Sequence, residues 1–480
     1  MSSWKNSPVN EAPPSWRRAE SNVMDCAPNV ANCDVTVQKE GKKMDRLYRR
    51  QVADAQEKRD GSKKFFLYCY TLSIALSPLG PVFHYILWGA TLISLVYCCA
   101  VNKEDIIHRV ELSHRSRVVL ALFSLFLLWV VISGLFSYRE LKSYGRNVTV
   151  PLEMLLGILM SVIFLGTESA RKTFIKVFVA ASVLILLGNL LRIAGLLEYF
   201  PNRALNNGNT LGALGLLLFP PVACFAFWSV NGGKLKQIIL LFPVLSVIFF
   251  SFSSGAWLSA FLGGLVFLYY AFRFHKISCR TLMTYVACFL AAAVLLYGVS
   301  GDFRRCLLGE CKQISSLHDM NELTTQRNEI WKVALHAIKK RPFLGYGGDS
   351  FYNVHEAIVR AKAQELGLTV KRSMDHPHST YFYLCCIGGI PALLLWLAPI
   401  GLCMKKMLKY ARAEKNVFFP WGVTAVMLLV EILTYGTNGD IFQGRRDIAV
   451  MVWCFIGIMV VLPDPEDTRD ARRFNGDGEK

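Results

Sequence analysis

The chain has 480 residues, 53% hydrophobic and 18% charged, with 53 Lys and Arg against 35 Asp and Glu and a formal net charge of +18. A mean hydropathy of +0.35 excludes an ordinary soluble domain of this size and reads as an all-α polytopic integral membrane protein. The excess of positive charge then speaks of topology rather than of nucleic acid, because the placement of Lys and Arg decides which loops stay inside.

Residues 1–64 are polar, contain Pro13-Pro14 and a run of basic side chains, and precede the first apolar run at Phe65. They are expected to form a disordered basic cytoplasmic tail without a cleavable signal peptide. Apolar runs long enough to span lie at 65–80, 82–101, 118–137, 149–167, 174–195, 210–229, 236–252, 256–272, 281–299, 380–404, 417–435 and 448–463. At ~20 residues for ~30 Å of hydrocarbon they predict about twelve transmembrane helices. The first two are short and joined by Ser77-Pro78-Leu79-Gly80-Pro81, so a single re-entrant hairpin is the main competitor there. Cation-rich connections recur at every second loop: the tail, 102–117, Arg171-Lys172, Lys234/Lys236, Arg273/Lys276/Arg280 and Lys405 to Lys415. This alternation puts both termini in the cytoplasm, including the tail 464–480. Nine helices (65–299) then precede a large external loop domain (300–379), partly helical, and three helices (380–463) follow it.

Polar segments on the outer side are the candidates for chemistry. The short loop ending at Arg146 can contribute charge to an outward-facing site. The fifth span runs into Pro201-Asn202-Arg203 and an Asn- and Gly-rich break, after which Asn209 or Thr210 can cap the sixth. Arg203 beside a fresh helix N-terminus suits a phosphate. In the external loop, Cys306 and Cys311 flank Gly309 and are expected to close a small disulfide loop if the compartment is oxidising. Arg327-Asn328-Glu329-Ile330-Trp331 starts an amphipathic helix with Ile330, Trp331, Ala334, Leu335 and Ile338 on one face, capped by Thr324 or Thr325 and ended by Arg341-Pro342. Arg327 thus falls in its anion-favouring first turn.

Gly345-Tyr346-Gly347-Gly348-Asp349-Ser350 is a glycine-rich turn that resembles a phosphate cradle but lacks the Gly-Lys-Ser/Thr ending of a nucleotide loop. Asp375-His376-Pro377-His378-Ser379 then meets the tenth span. Pro377 keeps His376 extended, so His378 sits at the mouth of a helix with a side chain that takes a proton near neutral pH. A metal on His376 and His378 would need further ligands, and a merely structural histidine is the other alternative. Asp440 and Arg445 add charge between the last two spans.

In combination these segments resemble the O-antigen ligase and polymerase superfamily over roughly 64–463. The likeness rests on Arg203 to Gly212, on Arg327-x-x-Ile-Trp-x-x-Ala-Leu-x-x-Ile followed by Pro342-Phe343-Leu344-Gly345-x-Gly347, and on His378-Ser379, nine residues, then Gly389. The chain departs from that pattern at Ser253-Ser254-Gly255, where Ser-Arg-Gly is common, and at Trp331, where many ligases have Leu.

The resemblance implies a GT-C-like, metal-independent glycosyltransferase of the bacterial cell inner membrane, acting on its periplasmic face without a cofactor. Its donor would be an undecaprenyl-pyrophosphate-linked glycan and its acceptor a sugar of lipid A–core. Arg203 and Arg327 would grip the pyrophosphate and His378 would take the acceptor proton, with Asp440, His376, Tyr346, Arg445 and Arg146 as possible support. An O-antigen polymerase or a transferase of glycans to protein would use the same donor. A transporter of a lipid-linked anion is the reading from another class, disfavoured because the ionisable residues fall in outer loops and no repeat is evident.

Overall fold

The computed structural model describes residues 56–102, 112–137, 141–193, 207–229, 233–299, 301–315, 327–348, 350–369, 374–412, 414–439 and 446–465. Two compact units divide the chain after Gly61. Of the first, residues 56–61 are described and are helical. The second opens with α1 (62–76), a 3₁₀ turn Ser77–Leu79 and α2 (Pro81–Val101). There follow α3 (His114–Ser137), α4 (Leu141–Phe164), α5 (Glu168–Ile193), α6 (Gly208–Cys224), α7 (Lys234–Phe250), α8 (Ser254–Arg273) and α9 (Cys279–Val299). The loop domain supplies α10 (Gly301–Ser315), α11 (Arg327–Lys340) and α12 (Phe351–Lys362), and α13 (Thr380–Tyr410), α14 (Phe419–Asn438) and α15 (Arg446–Val461) close the chain.

The described residues form helices and no strand, and seven helices are long and apolar enough to cross a membrane. Leu152–Phe164 and Ile448–Val461 are shorter apolar helices. The protein is therefore a multi-pass helical membrane protein; of the twelve expected runs, seven fall on those seven helices, and 149–167 and 448–463 fall on the two shorter ones.

α6 is the axis of the bundle. Every side chain from Thr210 to Cys224 is buried, Pro220 and Pro221 included, and a π-helical turn, Phe225–Ser229, continues it. Around it pack α5, α7, α8 and α14. Small residues allow the close approach: a Cβ on Gly215 would stand 2.6 Å from Ile248 of α7.

α13 was expected as one straight span and is instead broken, with Gly388 (φ −142°, ψ 15°) and Gly389 (φ 71°, ψ −173°) outside helical geometry. The break is filled from two sides. Tyr346 N–H donates to Cys386 O (2.7 Å), Gly347 N–H to Ile387 O (3.1 Å), and Ile390 N–H to Pro342 O (2.7 Å). From α3, Ser133 Oγ donates to Ile387 O (2.7 Å) and Trp129 Nε1 to Gly388 O (2.7 Å). Irregular backbone in a membrane helix is tolerable only with such partners. The glycine-rich turn is accordingly no phosphate cradle: the N–H groups of Tyr346 and Gly347 are spent on the carbonyls of α13. Tyr346 is likewise used internally, its hydroxyl donating to Ala337 O (3.1 Å) and its ring lying under Arg341.

The turn expected between Cys306 and Cys311 is also different. Gly309 continues α10, and Cys311 is a free, exposed thiol. Residues five apart on a helix differ by ~140° around the axis, so this segment does not form the tight loop the bridge requires. The side chain of Cys306 lies outside the described residues.

Gly389 tests the importance of the break. A Cβ there would collide with Phe343 O of the docked turn, and φ is left-handed. Gly389→Ala is expected to cost about 1–3 kcal/mol from the backbone alone, seen as a lower thermal midpoint in detergent and faster proteolysis of the loop domain. Gly401→Ala, a helical position with open space around it, should leave both unchanged.

Candidate functional site

The first turn of α11 is held by packing on one side and presents polar groups on the other. Ile330, Val333, Ala334 and Ala337 are buried against Phe351, Ile358 and Val359 of α12 and Cys386 of α13. The buried stripe thus runs through Val333 and Ala337 rather than Leu335, which is exposed. Glu329, also buried, binds Thr369 through both oxygens, accepting from its N–H (2.9 Å) and hydroxyl (2.5 Å). Thr324 and Thr325, the expected caps, lie outside the described residues.

The polar side of this turn faces the end of α14. Arg327 donates from Nη1 to Asn438 O (2.6 Å), and one turn on, Trp331 Nε1 donates to Pro377 O (3.0 Å). Asp375 to Ser379 is therefore clamped on α11. Its C-terminal end is clamped on α14: Ser379 Oγ donates to Gly436 O (3.1 Å), and Thr380 donates to Gly439 O through both N–H (3.0 Å) and Oγ1 (3.1 Å). Between these clamps His378 takes φ 51°, a left-handed conformation that costs about 1–3 kcal/mol in a residue other than glycine. Such strain persists where the surroundings fix it. The ring of His376 lies 3.9 Å from that of His378, and His376 Nδ1 is 2.6 Å from Asp375 Oδ1.

A third wall comes from the start of α6. Asn207 caps it, its side-chain oxygen accepting from Asn209 N–H (2.9 Å). Asn209 O accepts from Tyr435 of α14 (2.9 Å), and Asn209 Oδ1 accepts from Ser253 Oγ in the α7–α8 turn (2.8 Å). Tyr435 thus reaches the α6 cap from the same end of α14 whose Asn438 carbonyl holds Arg327. Arg203, four residues before Asn207, lies outside the described residues, as do Asp440 and Arg445. Arg146 falls within α4 rather than in a loop, and its side chain is not among those described.

Electrostatically the site is incomplete. Burial pushes the Arg327 guanidinium below its ordinary pKa, and Tyr435 acts in the opposite direction. Among the described residues no carboxylate pairs with it. A bound anion would relieve that desolvation cost, and one of the five guanidinium N–H donors is spent on Asn438. The sequence singled out Arg327 and His378 as candidates and expected Asn209 or Thr210 to cap α6, where Asn207 does so instead; it gave no sign of Tyr435. Trp331 was expected on the apolar face and as a departure from the family pattern, not as the indole donor that holds Pro377. No group of three or more His, Cys, Asp or Glu among the described residues could hold a metal.

The O-antigen ligase family model matches residues 239–397. The matched stretch, about a third of the chain, runs from the middle of α7 to the middle of α13. The match takes in Arg327, His378 and Gly389 and leaves out the Arg203 segment and α14. No curated protein matches the chain.

His355 gives the loop domain a pH dependence. It is buried beneath Phe351, accepts at Nδ1 from Met374 N–H (3.5 Å), and has its pKa lowered by burial. A histidine depressed in the folded state contributes stability above its unfolded pKa of about 6.5 that is lost as pH falls below it. Proteolysis of the loop domain should be faster at about pH 5.5 than at about pH 7.5. His355→Gln should flatten that difference, and an unchanged profile would refute the assignment.

Proposed function

We propose that this protein is an O-antigen ligase, a glycosyltransferase that moves a glycan from undecaprenyl pyrophosphate to a sugar of lipid A–core on the outer face of the bacterial inner membrane. The observation that carries the reading is that the α11 guanidinium and the His378 segment converge on one helix end, residues 436–439 of α14. The family match supports the same reading.

In the reaction, His378 takes the proton of an acceptor hydroxyl as that oxygen attacks the anomeric carbon of the donor glycan. The bond from that carbon to the pyrophosphate oxygen breaks, and the charge left on the pyrophosphate is met by Arg327 and Arg203. Pyrophosphate is a good leaving group, so charge neutralisation by two guanidiniums, each able to bind it bidentately, supplies most of what the step needs without a cation. The hydroxyl is a poor nucleophile and gains from a base of matched pKa. The ring of His376 beside His378 limits its tilt, and Asp440, next after Gly439, and Arg445 support the site from the α14–α15 connection, with Arg146 doing so from the start of α4. Trp331, by fixing Pro377, sets the height of the base above the membrane end of α13. With no ATP outside the membrane, a preassembled lipid pyrophosphate is the energy source.

His378→Ala is expected to insert and fold normally while glycan transfer falls by about 10²–10⁴-fold. Capped lipopolysaccharide at the normal level in that variant would sink the role of base. Arg327→Lys should be severely impaired because an ammonium lacks the planar fork, and equal activity would exclude a bidentate contact. A deletion strain should lose all long chains on the core and accumulate lipid-linked polymer. Chains of a single repeat would instead mark a polymerase.

A further inference from the structure

At the end of the bundle opposite the candidate site lies a cavity of about 590 Å³ between the start of α5, the end of α6 and the start of α14. Its two sides differ in chemistry. On one, Arg171 and Lys172 share a turn of α5 and Lys176 stands one turn on; Lys172 pairs with Glu168 (2.5 Å), leaving a net charge of +2 in the described wall. On the other, Phe225 and Trp228 of the π-helical turn line the cavity with Phe418, which precedes α14, and Trp421 of α14.

The donors at this cavity are not all satisfied. Arg171 is buried, gives Nη1 to Leu165 O (2.9 Å) and Gly166 O (2.7 Å), and lies over the ring of Phe418. Its Nε, like the indole N–H of Trp228, is buried without a hydrogen-bond partner. Leaving two such donors unpaired is costly unless an acceptor visits them. A π-helical turn at the same cavity also interrupts regular hydrogen bonding, as such turns often do at functional sites.

We infer that this cavity binds one anionic phospholipid, its phosphate at Arg171, Lys172 and Lys176 and its chain along the Phe225, Trp228 and Trp421 wall. The cations and the first turn of α5 favour a negative headgroup. The aromatic wall at the ends of membrane helices favours an amphiphile over a free ion. The site lies at the other end of the helices from His378, so the lipid is bound there as a stabilising partner and not as a substrate.

The test uses the full-length protein purified in detergent, with bound lipids counted by native mass spectrometry on titration with phosphatidylglycerol, phosphatidylethanolamine or a polyprenyl monophosphate. Wild type is expected to hold one phosphatidylglycerol that Lys172→Gln/Lys176→Gln binds about tenfold more weakly or loses. Lys405→Gln/Lys409→Gln, which removes two cations near Lys406 at the same end, should keep it. Equal retention in both variants, equal binding of phosphatidylethanolamine, or preference for the polyprenyl phosphate would overturn the assignment. So would inorganic phosphate alone if it raised the thermal midpoint as much as the lipid does.

Discussion

A helix that ends inside a protein leaves its last carbonyls without partners, and at the end of α14 those carbonyls organise the site. Gly436, Asn438 and Gly439 receive Ser379, Arg327 and Thr380. The negative end of the helix dipole favours the arginine there, so the guanidinium is positioned without a carboxylate among the described residues to neutralise it. That distinction matters for chemistry. An arginine held by a carbonyl keeps its charge available to an incoming anion, whereas one held in an ion pair has largely lost it. Tyr435, on the same helix end, carries the arrangement across to Asn209 and the start of α6.

The second determinant is the break in α13. Between His378 and Gly389 the chain rises along a helix by roughly 1.5 Å per residue. The ten intervening residues therefore fix the distance from the histidine to the docked turn. A motif that looks like a base followed by an incidental glycine is a spacer: one end carries the imidazole, and the other receives the loop domain that brings Arg327 and Trp331. Changing the spacing by one residue would rotate Thr380 and Cys386 by about 100° relative to each other and detach one clamp.

The helices were legible because membrane spans announce themselves through length and hydropathy, and the seven helices long and apolar enough to cross all fall on expected apolar runs. The site was legible in part, because Arg327 and His378 stand out as polar residues with known chemistry near helix ends. What could not be read were the partners that act through backbone. Asn438 and Gly436 contribute carbonyls, which every residue has. Tyr435 lies in an apolar span, where an aromatic suggests an interface anchor, and the Gly388-Gly389 break hides within a run that hydropathy alone makes continuous. The glycine turn misled for the converse reason: glycines that free backbone N–H groups look alike whether the acceptor is a phosphate or another helix.

The filled break also bears on how the protein is made. Trp129, Ser133, Tyr346 and Gly347, which supply the donors for Cys386, Ile387 and Gly388, all precede those acceptors in the chain. As the second half of α13 leaves the ribosome, every group that closes its gap has already been synthesised, and α3 is already available as a wall. The interrupted helix can therefore be received into a prepared socket rather than wait in lipid with bare carbonyls. The order of segments along the chain, and not only their arrangement in space, lets a span with a defect in its middle be built late and at low cost.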